Sequence, residues 1–187
     1  MIVGVDEAGR GPLAGAVVAC ALHLENNPRF EIKDSKALSA RSREEVFSWL
    51  IANSAFAVGV ADAREIDKIN ILEATFLAFN RAIIKLIKKR SFLRDADFII
   101  DGTMFKTKLN LNYSCLKKAD ETVREVSCAS IVAKVVRDHL VGNIDFLYPH
   151  WSFREHKGYP TAKHFSLIKK HALTPFHRRS FSPCKKS

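Results

Sequence analysis

The sequence predicts an α/β fold, a sheet flanked by helices, with a helical part added at the C-terminus. Short apolar segments rich in β-branched residues are typical of strands. Four such segments lie at residues 2–5, 16–24, 55–61 and 97–100. Helical segments lie between and after them, and this order of elements indicates an α/β sheet.

Four longer segments are predicted as helices, at residues 39–51, 65–89, 121–148 and 161–171. In the first, Ser42 and Glu45 have the spacing of a capping box. The second repeats apolar side chains at intervals of three and four, the pattern of an amphipathic helix. In the third, Gly142 marks the place where we expect a break.

Length and composition fit one globular domain. The chain has 187 residues, of which 47% are hydrophobic, enough for a sizeable core. Its four cysteines have no CxxC spacing, which predicts free thiols in a reducing compartment instead of disulfides or a zinc site. No secretory signal or membrane-spanning stretch is visible. We therefore expect a soluble, cytoplasmic protein with no membrane partner.

The net charge of +10 is concentrated at the C-terminal end. Residues 150–187 carry nine Lys or Arg side chains against one acid, Glu155. The alternative of a solvated tail is less favoured, because aromatic residues are interspersed and disordered tails are poor in them. Charge and aromatics together favour nucleic-acid binding, so we expect a body at 1–149 and a basic segment at 150–187. Expected phosphate contacts are Lys157, Lys163, Lys169, Lys170, Arg178 and Arg179.

The stretch "GVDEAGRGPLAG", residues 4–15, places Asp6 and Glu7 where the first predicted strand ends. Its "GRGPLA" formally matches a dinucleotide-binding fingerprint, which requires a following helix. Here a second strand follows, and two carboxylates would repel a pyrophosphate. A bend at Gly9 lets Asp6 and Glu7 share one hard divalent cation, which can bridge carboxylates to a substrate phosphate.

Two further acids could converge on this pair. Asp101 ends the predicted strand at 97–100, and active sites of open α/β sheets lie at the carboxyl ends of strands. Asp120 begins the helix at 121–148 and could equally be a helix cap. Asp138 is set aside, because Lys134 lies four residues before it on the same helix and accounts for it as an ion pair.

Other conspicuous polar side chains are interpreted as structural. His156, His164 and His177 are expected to be solvated surface residues. Ser130 lies in a largely apolar helical segment and is expected to pack there. Asn70 is interpreted as a helix-start residue.

Ordered motifs covering almost the whole chain resemble type 2 ribonuclease H, the bacterial ribonuclease HII family. They are "GVDEAGRGPLAG" (4–15), "DSKALS" (34–39), "INILEAT" (69–75), "IIDG" (99–102), "KADETVREVSCASIVAKVVRD" (118–138), "HKGYPT" (156–161) and "HRRSFSP" (177–183). The resemblance implies a ribonuclease H-like fold, a mixed five-stranded sheet flanked by helices with a small helical C-terminal extension. Residues 1–149 would then form the catalytic body.

The resemblance also implies the roles of site residues. Metal-binding and catalytic positions fall on Asp6, Glu7, Asp101 and Asp120. Substrate-binding positions fall on Gly9, Arg10 and Gly11 beside the ribose 2′-hydroxyl, Tyr159 on the neighbouring deoxyribose, and Lys36 at a backbone phosphate. The implied cofactors are two divalent ions, Mg²⁺ or Mn²⁺.

The function expected from this resemblance is a monomeric, metal-dependent endoribonuclease. It would cleave the RNA strand of RNA–DNA hybrids and cut 5′ of ribonucleotides embedded in duplex DNA, leaving 3′-hydroxyl and 5′-phosphate ends. Ribonucleotide excision repair and DNA replication are the processes that such cleavage serves. Two alternatives remain: another carboxylate nuclease of the same fold, and a nucleic-acid-binding protein without enzyme activity. The adjacent D-E pair counts against exonucleases of that fold, which carry D-x-E.

Overall fold

A computed structural model describes residues 1–28 and 38–186. Within them the chain forms one mixed sheet of five strands in the order β3-β2-β1-β4-β5. The strands are β1 (Ile2–Ala8), β2 (Val17–Leu24), β3 (Ser54–Ala61), β4 (Asp97–Asp101) and β5 (Asn112–Leu116). Strands β1, β2 and β3 pair antiparallel, whereas β4 pairs parallel to both β1 and β5. The mixed five-stranded sheet confirms the predicted fold.

All four strands predicted from the apolar pattern are present, and β5 is the one that the pattern missed. This strand lies at the edge of the sheet, and Asn112, Tyr113 and Ser114 are exposed. An edge strand with little burial does not need an apolar run, so its sequence gives no strand signal.

Six α-helices accompany the sheet within residues 1–28 and 38–186. They are α1 (Ala40–Asn53), α2 (Ala63–Lys89), α3 (Ala119–Thr122), α4 (Arg124–Leu147), α5 (Phe153–His156) and α6 (Ala162–Lys170). The predicted break near Gly142 is wrong, because α4 continues through that residue. The interruption is at Val123, whose extended backbone separates α3 from α4.

Helix α2 bends at Asn70, which has a positive φ of 68°. The Asn70 side chain accepts hydrogen bonds from the backbone N–H groups of Leu72 and Glu73, at 2.9 and 3.1 Å. It therefore caps the second half of the helix, which confirms the interpretation of Asn70 as a helix-start residue.

The sheet is covered on both faces. Helix α2 packs on one face over a large apolar core, and α4 and α1 pack on the other. Gly4 of β1 allows α4 to approach closely, because a Cβ there would lie 2.2 Å from the carbonyl carbon of Glu125. This contact sets the start of α4 directly against the strand that carries Asp6.

A third apolar core joins the C-terminal segment to the body. Its buried members are Leu13, Ala14, Val141, Ile144, Trp151, Phe153, Ile168 and Cys184. Phe176 packs against this core, and Phe181 packs against both this core and the one under α2, so these two side chains anchor the segment to the body. No helix in the described ranges has the length and apolar character needed to cross a membrane.

Candidate active site

The sheet places Asp6 and Asp101 side by side on neighbouring parallel strands, Asp101 at the end of β4 and Asp6 shortly before the end of β1. Val5 of β1 is in register with Ile100 of β4, so Asp6 and Asp101 follow at the same edge. Helix α3 reaches this edge because the backbone N–H of Ala119 donates a hydrogen bond of 2.8 Å to Asp101 Oδ1. Asp120, the next residue, thereby joins the other acids.

All four predicted metal-binding carboxylates line one open cleft of about 280 Å³. Other side chains and backbone of the cleft belong to Ala8, Gly9, Arg10, Arg43, Ser130, Lys134 and Tyr159. The structure thus brings together most of the residues predicted for the site. Lys36 lies outside the described residues.

Negative charge is crowded in this cleft. Asp6 is only 4% exposed, and burial raises the pKa of its carboxyl well above the ordinary value. The charges of Glu7 and Asp101 raise the Asp6 pKa further, whereas a hydrogen bond from Ser130 lowers it. Burial also raises the pKa of Glu7, against the opposing effect of Arg10 at 3.4 Å. A cation in the cleft would reverse both shifts, because it favours the ionised carboxylates.

The carboxylate oxygens fit a hard divalent cation. Within residues 1–28 and 38–186, no three His, Cys, Asp or Glu side chains form a ready-made metal cage. Mg²⁺ does not need one, since it keeps several waters and takes one or two carboxylates together with substrate phosphates. An open cleft lined by four acids and no thiol or imidazole suits an ion of this type.

The turn after β1 borders the cleft. Gly9 has a φ of +98°, and a Cβ there would lie 2.4 Å from Arg137 Nε, so only glycine fits. Gly11 differs, because a Cβ at that position would meet only the Tyr159 ring, at 3.9 Å. Gly11 of the predicted ribose-reading turn therefore lies next to the ring of Tyr159, the predicted deoxyribose contact.

Arg178 holds this turn from behind. It is fully buried and its guanidinium donates to the carbonyl oxygens of Gly15 at 3.0 Å, Arg10 at 2.7 Å and Gly9 at 2.5 Å. Burial lowers its pKa to about 9, which leaves the group charged at neutral pH. The prediction that Arg178 touches phosphates is wrong, because the guanidinium does not reach solvent.

Tyr159 rests on two cations of α4. The guanidinium carbon of Arg137 lies 5.3 Å from the ring centroid, and Lys134 Nζ lies 5.7 Å from it. Arg137 is buried and donates through Nη2 to the Lys157 carbonyl at 2.7 Å. Lys134 pairs with Asp138 at 3.0 Å, which confirms the predicted ion pair between these two residues.

Sequence reasoning missed several residues of this site. Ser130 was interpreted as a packing residue, yet it bonds Asp6 and lines the cleft. Arg43 of α1 also lines it. The expectation of solvated His156, His164 and His177 is wrong, since they are 7%, 0% and 2% exposed. Their proximity to Trp151 and Phe153 depends on tertiary folding, which residue type does not reveal.

Comparison with known proteins decides the family. The family model described as Ribonuclease HII matches residues 3–184. The chain belongs to the ribonuclease HII family. It is therefore an endoribonuclease, a hydrolase that acts on RNA–DNA hybrids.

The family assignment rests on sequence and fold alike. The chain is 45% identical to ribonuclease HII of Psychromonas ingrahamii over 188 residues, covering 100% of this chain and 89% of that protein. Ribonuclease H2 from Pyrococcus horikoshii OT3 aligns with a TM-score of 0.74 and 25% identity, over 99% of this chain and 95% of that one. Bst-RNase HIII, solved in complex with Mn²⁺, shares the fold, with a TM-score of 0.75 and 18% identity over 99% of this chain and 68% of its own.

Proposed function

We propose that this ribonuclease HII also cuts duplex DNA at single embedded ribonucleotides, on the 5′ side, leaving 3′-hydroxyl and 5′-phosphate ends. The observation that carries the proposal is that Gly9, Arg10 and Tyr159 line the acidic cleft and that Gly11 lies next to the Tyr159 ring. Metal chemistry and sugar recognition would then take place at one nucleotide step.

Asp6, Glu7, Asp101 and Asp120 would hold two divalent ions, Mg²⁺ or Mn²⁺. Bound ions supply Lewis acidity at the scissile phosphate, the main requirement of a phosphoryl transfer with a loose transition state. The four carboxylates fix the place of cleavage, because a phosphodiester can approach only where their negative charge is neutralised. The Arg10 side chain lies beside Glu7 and is 49% exposed, so it can contact a phosphate that enters the cleft.

Selection of the sugar would depend on the turn. RNA differs from DNA by the 2′-hydroxyl, which can donate and accept a hydrogen bond. The Gly11 backbone is exposed, and Arg178 fixes the neighbouring peptide groups through the carbonyl oxygens of Gly9 and Arg10. Tyr159 would pack on the deoxyribose that follows, so that the enzyme recognises an RNA-to-DNA step.

The segment 150–187 would bind the duplex backbone through exposed cations. Lys163, Lys169, Lys170 and Arg179 are exposed and Lys157 is half-buried, whereas Arg178 no longer belongs to this set. Lys36 would add a phosphate contact from outside the described residues. The remaining expectations of a cytoplasmic monomer acting in ribonucleotide excision repair and DNA replication belong to this proposal, and four free cysteines suit a reducing compartment.

A gel assay with three matched duplexes tests the proposal. One duplex contains a single ribonucleotide, one has deoxyribose and one has 2′-O-methylribose at that position, each with Mg²⁺, with Mn²⁺ or with a chelator. We expect cleavage of the ribonucleotide duplex alone, 5′ of that nucleotide, and only with a metal. Equal cutting of the ribo and deoxy duplexes would favour a general carboxylate nuclease, and binding without cutting would favour a protein that only binds.

Gly11→Ala refines the test, because the added methyl meets only the Tyr159 ring at ordinary contact distance and should not disturb the fold. We expect it to impair cleavage of the ribonucleotide duplex more than binding of the deoxy duplex. Gly142→Ala is the matched control, since a Cβ at that helical position has no neighbour within 4 Å.

A further inference from the structure

Three buried histidines lie beneath Tyr159, and the proposed reaction does not use them. His156, His164 and His177 surround the stacked rings of Trp151 and Phe153. The rings of His156 and His164 stack at 4.2 Å with an interplanar angle of 14°. Packing three imidazoles together is tolerable only when they are neutral and each polar nitrogen has a partner.

The hydrogen bonds fix the tautomer of each ring. The backbone N–H of Thr174 donates to His177 Nδ1 at 3.0 Å, so this nitrogen carries no proton and His177 is protonated on Nε2. That N–H points to His164 Nε2 at 3.1 Å, which must therefore accept. His164 then carries its proton on Nδ1 and donates it to the carbonyl oxygen of Tyr159 at 3.0 Å.

The third ring is fixed in the same manner. The Gly158 N–H donates to His156 Nδ1 at 3.1 Å, so His156 Nε2 is protonated and donates to the Trp151 carbonyl at 2.8 Å. All three histidines are thus neutral: His164 and His177 are bonded to each other and His156 stacks on His164, and two of the three bond the backbone at residues 158 and 159.

Burial keeps the network neutral at working pH. Burial, together with the proximity of the other imidazoles, lowers the pKa of His164 to about 4 and that of His177 to about 3. Burial also lowers the pKa of His156. A proton on either His164 or His177 would place two N–H donors face to face.

We propose that His164 and His177 are positioning residues for Tyr159. They hold the backbone of this residue from the carbonyl side, while Arg137 and Lys134 support its ring, so that the ring stays opposite Gly11. The inference rests on the proposed role of Tyr159 at the sugar that follows the ribonucleotide. It extends the substrate site to Thr174 and His177, which lie behind the cleft.

Two amide substitutions separate the two hydrogen bonds of His164. The side-chain amide of His164→Asn falls near the position of Nδ1 and can still donate to the Tyr159 carbonyl. The longer side chain of His164→Gln falls near Nε2 and can still meet His177, but it loses Tyr159. His139→Gln is the control, because His139 is exposed and pairs with Glu44 on the other side of α4.

Each variant is assayed alone and combined with Tyr159→Ala, on the single-ribonucleotide duplex and on a long hybrid. We expect His164→Gln to lower kcat/KM on the single-ribonucleotide duplex roughly tenfold relative to the hybrid, the scale of one lost hydrogen bond. His164→Asn should lose less. In the Tyr159→Ala background, His164→Gln should no longer lower this ratio of kcat/KM values. If His164 has a purely structural role, the decrease should persist in that background.

Persistence of the full effect without the Tyr159 ring, or wild-type selectivity in His164→Gln, would overturn the inference. If the variants do not fold, imidazole ¹⁵N spectra of the wild-type protein decide instead. They should show protons on His164 Nδ1 and His177 Nε2, and the opposite tautomers would refute the network. Failure of the proposed function is a separate result, since it requires the wild-type enzyme to cut ribo and deoxy duplexes alike.

Discussion

Replacing Arg178 with methionine removes the clamp behind the substrate-reading turn. The side chains have comparable length and both are apolar along the stem, so packing is largely kept. What is lost is the guanidinium, which donates to three backbone carbonyls of residues separated from it by 163 to 169 positions. Arg178→Met therefore removes the side-chain bonds to the turn, while the backbone bonds that join residues 13–15 to Gly158, Phe176 and residue 178 remain.

The cost can be estimated from the three hydrogen bonds. Bonds to a charged group contribute about 1.5 to 3 kcal/mol each, and a buried carbonyl left unpaired costs a similar amount. Methionine also removes the desolvation penalty of a fully buried cation, which offsets part of the loss. We expect a net loss of about 3 to 5 kcal/mol in the free energy of unfolding. For a chain of this size the melting temperature should fall by about 10 °C.

Thermal melting and binding assays test this expectation together. Arg179→Met is the matched control, because the neighbouring side chain is exposed and its stability effect should stay within about 0.5 kcal/mol. Below its melting temperature, Arg178→Met should bind deoxy duplex nearly as well as wild type but discriminate ribose poorly. Arg179→Met should weaken binding to both duplexes equally. A melting temperature within about 1 °C of wild type for Arg178→Met would refute the clamp.

Two further predictions concern the acids and the basic segment. Asp101→Asn and Asp120→Asn should nearly abolish cleavage without loss of the fold, because an amide is isosteric but a poor ligand for a hard ion. Asp101→Asn should also raise the metal-free melting temperature slightly, since the charge of Asp101 raises the pKa of Asp6. If either variant keeps its activity but loses much stability, the acids are structural. On α6, Lys169→Met with Lys170→Met should reduce the slope of log affinity against log salt by about 0.9 for each lost phosphate contact and leave the ribo-to-deoxy affinity ratio unchanged. Salt-independent binding by the intact protein would contradict the second prediction.

Local sequence predicts the sheet well where strands are buried. Strands β1 to β4 are apolar because both faces of the central sheet are covered, and this burial is visible in residue type. The edge strand β5 is exposed and therefore carries no such signal. The break between α3 and α4 was misplaced for a related reason. Gly142 is a weak helix former, but tertiary contacts keep α4 helical through it. The extended backbone of Val123 instead sets α3 against β4.

The acids of the site could be predicted because of where strands end. Asp101 ends β4, and Asp6 lies beside it on β1, which continues to Ala8 beyond its predicted end at residue 5; a fold class is enough to bring such residues to one edge. Asp120 was placed by resemblance, since nothing in a helix start distinguishes a metal ligand from a cap. Arg178 and the three histidines could not be recognised, because their partners lie at Gly9, Gly15 and Trp151 and only the folded chain shows that these groups are buried together.

The charge of the C-terminal segment therefore has two separate physical roles. Exposed lysines on α6 remain available for a duplex backbone. The Arg178 guanidinium instead bonds carbonyl oxygens of the turn, and the histidines remain neutral. Truncating the chain after residue 149 would remove the exposed lysines and Arg178 at once. It would also remove Trp151 and the other C-terminal members of the third core, against which Leu13 and Val141 pack. Loss of binding in such a truncated protein would not identify a binding surface, because the substrate-reading turn would lose its support in the same step. Point substitutions separate the two roles. Substituting exposed cations should change the salt dependence of duplex binding, whereas Arg178→Met should change the discrimination between ribose and deoxyribose.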